Sequence, residues 1–158
     1  MNRAERRRQQ KQGAKLAITA KQRQTATPSQ QQTVSGQQTP DIQQSLNLAI
    51  QHHTQGRLPE AQNLYQQILK TDPNQPVALH LLGLVAHQAG NNDNALDLIK
   101  KAIAIKPDYA EALCNLGNVF NALGRQDKAL ESFLQAIATK PDYPEAYNNL
   151  GNVLGKLK

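Results

Sequence analysis

The chain has 158 residues, enough for one ordinary domain, and a formal net charge of +6. The charge is uneven, because residues 1–41 hold eight basic and two acidic side chains whereas residues 42–158 hold ten of each. One cysteine excludes an intrachain disulfide and favours a reducing compartment, so we expect a cytoplasmic location. No stretch approaches the roughly 18 consecutive apolar residues of a membrane span.

The first 41 residues have the composition of a disordered tail and linker. The tail is basic and Gln-rich, and residues 25–40 are mostly Thr, Gln, Ser, Pro and Gly. Such a composition cannot bury enough apolar area to offset chain entropy. The run Arg6, Arg7 and Arg8 could contact nucleic acid or an anionic membrane through phosphates. The alternatives are a solubilising tail without a ligand and an organelle transit peptide.

From Ile42 onward the sequence repeats every 34 residues without an insertion or deletion. The recurring landmarks are Gly56, Gly90 and Gly124; Ala61, Ala95 and Ala129; and Pro73, Pro107 and Pro141. A constant period of this length is typical of a solenoid, in which each unit contacts only its neighbours. The predicted units are residues 42–75, 76–109 and 110–143, followed by a partial unit at 144–158.

Within each period, apolar residues three and four apart predict a helix, a short turn and a second helix. The predicted helices cover residues 42–55, 59–71, 76–89, 93–105, 110–123, 127–139 and 144–157. Asp41 is predicted to cap the first helix, and Asn92 and Gln126 to cap the fourth and sixth. The glycine of each period follows a first helix, where a left-handed residue is needed, and the proline ends a second helix.

Two segments of the later periods have the same pattern of residues. They are Asn115-Leu116-Gly117-Asn118 and Asn149-Leu150-Gly151-Asn152. With the small Ala129, the large Phe133 and Pro141, they resemble tetratricopeptide repeats, in particular those of bacterial O-GlcNAc-transferase-like proteins. The resemblance covers residues 42–158. It implies an all-α fold: a right-handed α-solenoid of helical hairpins whose concave groove is formed by the first helices.

Periodicity and this resemblance together place polar side chains of the first helices along the groove. The candidate peptide-binding residues are Asn47, His80, His87, Asn115, Asn118, Asn149 and Asn152. An asparagine amide offers two donors and two acceptor lone pairs, so it can hold a peptide backbone whatever the side chains of that peptide. The alternative is that these are solvated surface residues retained by repeat duplication. The spacing of the histidines lacks a third ligand, so neither a metal nor a cofactor is predicted.

The leading functional hypothesis is a non-catalytic scaffold that binds an extended peptide or a partner helix in the groove. No catalytic motif of a familiar kind occurs in the sequence. The alternative is the N-terminal substrate-recruiting arm of a longer glycosyltransferase, sulfotransferase or methyltransferase. A third hypothesis is self-assembly through exposed repeat ends. The partial last unit has the apolar pattern of an internal helix, so we expect the chain to be the N-terminal part of a longer protein.

Overall fold

The computed structural model describes residues 41–156, and within that range the chain forms seven α-helices and no strand. The helices are α1 Ile42–Thr54, α2 Leu58–Thr71, α3 Pro76–Gln88, α4 Asn92–Ile105, α5 Ala110–Ala122, α6 Gln126–Thr139 and α7 Pro144–Lys156. Every boundary lies within one residue of the predicted one. Residues 1–40 of the predicted tail lie outside the described residues. None of the described helices is long and apolar enough to cross a membrane.

Contacts between the helices follow the order of the chain. Each helix packs against the next one, and the first helices α3, α5 and α7 also contact each other in sequence. In the described range, no helices further apart in the chain make comparable contact. The all-α solenoid is therefore confirmed, and the row of first helices forms one of its surfaces.

The same glycine turn closes the hairpin of all three complete repeats. Gly56, Gly90 and Gly124 have φ angles of +72°, +80° and +70°, a region in which a side chain would be strained. After α1, Gly56 N–H donates to the carbonyl of His53 at 3.0 Å, and Arg57 N–H donates to that of His52 at 2.9 Å. This pair of bonds is the Schellman motif.

The helix caps differ from prediction at two positions, and the glycine turn explains why. The cap of α4 is Asn91, whose side chain accepts from the N–H of Asn94 at 3.3 Å, and not Asn92. Arg125, and not Gln126, precedes α6 and makes no side-chain cap bond. Because the residue directly after the glycine completes the Schellman motif and is also the cap of the next helix, the second helices begin one residue earlier than predicted. The predicted cap at Asp41 is confirmed, since its carboxylate accepts from a first-turn N–H at 3.1 Å.

Two buried glycines let the helices of a hairpin approach closely. A Cβ on Gly83 would lie 2.7 Å from Ile99 Cγ1, and a Cβ on Gly117 would lie 2.6 Å from Phe133 Cε1. The side chains of Ile99 and Phe133 are fully buried against these glycines. Glycine costs about 1 kcal/mol relative to alanine inside a helix. Here the dispersion contacts of the large neighbour offset that cost.

The last helix presents a face that no described residue covers. Gly151 occupies the place of Gly117 in the next period, yet a Cβ there would meet nothing within 4 Å. Tyr147 and Leu154 on the same face are 50% and 45% exposed. Their equivalents one period earlier are Leu113 and Phe120, which lie on the helix that α6 packs against, and both are buried.

Candidate functional site

A line of hydrogen-bonded polar side chains crosses the first helices α3, α5 and α7. We call it the polar seam, and it consists of Tyr109, His80, Asn115, Asn118 and Asn149. Two of its bonds join residues that are 35 and 31 positions apart, and each of these links one repeat to the next. The seam thus depends on the stacking of the repeats and not on one helix alone.

His80 anchors the seam from beneath its surface. Its ring is 3% exposed and packs edge-on to the Tyr109 ring, with the centroids 4.7 Å apart. Nε2 lies 2.8 Å from the amide nitrogen of Asn115, and Nδ1 lies 2.9 Å from the Tyr109 hydroxyl. An amide nitrogen can only donate, so we assign Nε2 as the acceptor and place the proton on Nδ1, which donates to the hydroxyl.

Burial sets the protonation state of this histidine. Loss of hydration lowers the pKa of His80 to about 4, against the opposing charge of Glu111. The ring is therefore neutral near pH 7, as the acceptor role of Nε2 requires. The prediction that His80 lines the groove needs correction, because its ring lies too deep to meet a peptide and instead orients Asn115.

The three asparagines of the seam orient one another. Asn118 Nδ2 donates to Asn115 Oδ1 at 3.5 Å, and Asn149 Nδ2 donates to Asn118 Oδ1 at 3.0 Å. All three residues are partly exposed. Within the part of the chain that the structure describes, Asn115 and Asn118 each use one N–H and one lone pair for these bonds. One N–H and one lone pair per amide remain, which is the complement that a peptide unit needs.

The other predicted residues of the first helices lie apart from the seam. Asn47 is exposed and accepts from a glutamine of its own helix at 3.0 Å. His87 Nδ1 lies 2.6 Å from Asn92 Oδ1, at the turn into α4. Asn152 is exposed, one turn beyond the last asparagine of the seam. Binding by these residues stays a prediction.

The remaining predicted contacts belong to the tail. The anion-contact residues Arg6, Arg7 and Arg8 lie outside the residues that the structure describes.

Cys114 lies under the seam and not in the groove. Its side chain is fully buried, and Asn149 Nδ2 approaches its sulfur to 3.8 Å. Burial raises the pKa of the Cys114 thiol. A protonated, inaccessible thiol is a poor nucleophile, so this cysteine has a packing role.

Neither the place of Tyr109 in the seam nor the burial of His80 was predicted from the sequence. A signal for the burial was present. Residues one period before and after His80 are Leu46 and Cys114, which are apolar, and the structure buries all three. No comparable signal marked Tyr109, because its partner His80 lies 29 residues earlier, near the other end of the same repeat.

Three family models match the chain, and together they span residues 46–158. One, described as a TPR repeat, matches residues 117–158, and two, described as tetratricopeptide repeats, match residues 46–110 and 98–131. No catalytic family is among these matches. No curated protein matches the sequence.

Several solved structures share the fold. MamA is 26% identical with a TM-score of 0.68, and the match covers 73% of this chain and 68% of MamA. A mutant O-GlcNAc transferase of Thermobaculum terrenum is 32% identical with a TM-score of 0.70, over 72% of this chain and 22% of the transferase. The first TPR of Spaghetti (RPAP3), solved with an HSP90 peptide, is 21% identical with a TM-score of 0.70, over 73% of this chain and 92% of that one.

These similarities support different conclusions about the chain. The chain spans less than a quarter of the transferase, so its likeness concerns the repeats and not the enzyme as a whole. The RPAP3 domain, at its lower identity, shows the fold alone. The constant 34-residue period, the glycine-turn hairpins and the three family models agree, and the chain belongs to the tetratricopeptide repeat family.

Proposed function

We propose that the repeats form a protein-interaction scaffold that binds an extended peptide along the polar seam. The observation that carries this proposal is the arrangement of Asn115 and Asn118. Each amide is held in place by one donated and one accepted hydrogen bond, and each keeps one N–H and one lone pair. A group that is already oriented loses little conformational freedom when it binds.

The chemistry of the seam favours the backbone of a guest over its side chains. The amides of Asn115, Asn118 and Asn149 are uncharged, and His80 beneath them is neutral near pH 7. A peptide unit presents one N–H and one C=O, which match the remaining acceptor and donor of one amide. We therefore expect sequence-tolerant binding with little dependence on salt concentration.

Panning a phage-displayed library of random twelve-residue peptides against the full chain would supply the guest. Enriched peptides are then synthesised, and their affinity is measured by calorimetry for wild type and for Asn118→Ala/Asn149→Ala. We expect the double variant to weaken binding by about tenfold or more, since each lost hydrogen bond contributes about 0.5–1.5 kcal/mol. The matched control is Asn63→Ala, on an exposed position of α2.

Two results would contradict the proposal. Undiminished affinity in the double variant would show that the seam does not bind the peptide, provided that circular dichroism shows the wild type and the variant to be folded. An equal loss in the Asn63→Ala control would show that the effect is not specific to the first helices.

A second candidate function rests on the likeness to the Thermobaculum terrenum O-GlcNAc transferase. In that case the repeats are the substrate-recruiting arm of a longer transferase, and the guest is the protein that the enzyme modifies. Sequencing the transcript beyond the codon of Lys158 tests whether a transferase domain is encoded there. A stop codon at that point would refute this candidate and leave the scaffold proposal intact.

A further inference from the structure

We propose that a pocket between α2, α3 and α4 binds an uncharged aromatic side chain of a partner protein. The pocket has a volume of about 300 Å³, at the lower end of the roughly 300–1,000 Å³ of ligand sites. Leu82, Ala86 and Leu98 contribute apolar atoms to its lining, and the lining also includes four amide residues, Gln62, Gln66, Asn91 and Asn94. It involves the second helices α2 and α4, whereas the polar seam runs along the first helices, so this inference is independent of the proposed function.

The next repeat shows what this space normally contains. Phe120 lies one 34-residue period after Ala86, and its ring is buried. The Nζ atoms of Lys100 and Lys128 lie 5.6 and 5.8 Å from the centroid of that ring. These two lysines are the counterparts, one period later, of Gln66 and Asn94, two of the four amide residues that line the pocket. The ring of Phe120 therefore fills the place that stands open above Ala86.

The hydrophobic core is also divided at this point. Buried side chains form one cluster that includes Tyr65 and Val85 and a second that includes Ile99 and Phe120. Ala86 packs against the second cluster, whereas its neighbour Leu82 packs against the first. An alanine in place of a phenylalanine leaves apolar surface of both clusters accessible, and an aromatic ring from outside would cover it.

The charge of the lining selects the occupant. None of the residues that line the pocket is ionisable, and the lysine positions of the next repeat are here Gln66 and Asn94. A charged ligand would lose hydration without gaining a counter-ion, which is unfavourable. A neutral aromatic side chain places its ring against the apolar side chains of the lining, and the peptide groups beside it can pair with the lining amides. The pocket thus fits a phenylalanine within a peptide.

The test is an NMR titration of the ¹⁵N-labelled full chain with N-acetylphenylalanine methylamide. We expect saturable shifts of the amide signals of Leu82, Ala86 and Leu98, with a dissociation constant on the order of 1 mM. The anion hydrocinnamate and the phenethylammonium cation, which keep the ring but add a charge, are expected to bind more weakly. N-acetylleucine methylamide tests the preference for a ring.

Ala86→Phe places in the pocket the side chain that the next repeat carries, and we expect it to weaken binding of the neutral probe by about tenfold or more. Ala86→Leu, the residue one further period on at Leu154, serves if the phenylalanine variant does not fold. The matched control is Ala138→Phe, at an exposed position of α6, which should leave binding unchanged. Absence of saturable shifts, unchanged binding in both Ala86 variants, or tightest binding of a charged probe would each overturn the proposal.

Discussion

Adding one methyl group at equivalent positions of two repeats should have opposite effects on stability. Gly117→Ala introduces a Cβ at 2.6 Å from Phe133 Cε1 and 2.8 Å from its Cδ1. The ring cannot move away easily, since it is fully buried. Gly151→Ala introduces the same atom where nothing lies within 4 Å.

The magnitudes follow from two contributions. Alanine is favoured over glycine inside a helix by about 1 kcal/mol, and both variants gain this. Overpacking of a buried contact costs about 1–3 kcal/mol, and only Gly117→Ala incurs it. The free energy of unfolding should therefore fall by about 0–2 kcal/mol in Gly117→Ala and rise by about 1 kcal/mol in Gly151→Ala. The helix-propensity contribution cancels when the two variants are compared.

Urea melts followed by circular dichroism measure the first variant. Because a terminal helix of a repeat stack can open separately, hydrogen exchange of the α7 amides measures the second. Equal stabilisation by both substitutions would refute the reasoning, because it would mean that the hairpin accommodates the methyl group at no cost.

Three further predictions concern the polar seam and the residues beneath it. The pKa of His80 falls from an ordinary 6.5 to about 4 on folding, so the unfolded chain binds the proton more readily. The contribution of neutral His80 to the free energy of unfolding should be fully present above pH 6.5. It should fall by up to about 3 kcal/mol as the pH drops to 4. Urea melts across this range should show a shallower decline for His80→Gln, and an unchanged decline would contradict the assignment. Tyr109→Phe leaves the buried Nδ1–H without its acceptor and should cost about 1–3 kcal/mol in chemical denaturation, whereas Tyr147→Phe, on an exposed side chain, should cost nothing measurable. Cys114 should react with a colorimetric disulfide reagent far more slowly in the native protein than in urea, and equal rates in both conditions would show that the thiol is not buried.

The 34-residue period was sufficient to predict most of the fold. Glycines and prolines recurring every 34 residues located every described helix to within one residue, because they terminate helices for local steric reasons. The caps at Asn92 and Gln126 were wrong by one position, since cap preference depends on residue type, whereas the observed caps are set by the geometry of the preceding glycine turn. A local pattern thus predicts which elements occur better than it predicts the residue at which each begins.

The candidate site was only partly predictable, because its contacts join different repeats. Asn115, Asn118 and Asn149 could be placed on one helical face by spacing alone, and the structure brings them together. The pairing of His80 with Tyr109 could not be predicted, since these residues lie 29 positions apart, near opposite ends of the second repeat, and only the folded hairpin brings them together. The pocket above Ala86 likewise appears only when the ring of Phe120 shows what that space holds in the next repeat.

The hydrogen bonds between the side chains of helices α3, α5 and α7 in the polar seam all run in the same direction. Each asparagine donates toward the N-terminal end of the stack: Asn149 to Asn118, Asn118 to Asn115, and Asn115 to the histidine ring. Reversing one amide would set donor against donor or acceptor against acceptor at its neighbours, so the three side chains can turn over only together and with a change of the His80 tautomer. In the proposed complex, an extended peptide along the seam would meet donors and acceptors in a fixed order, so its two possible directions would be energetically distinct.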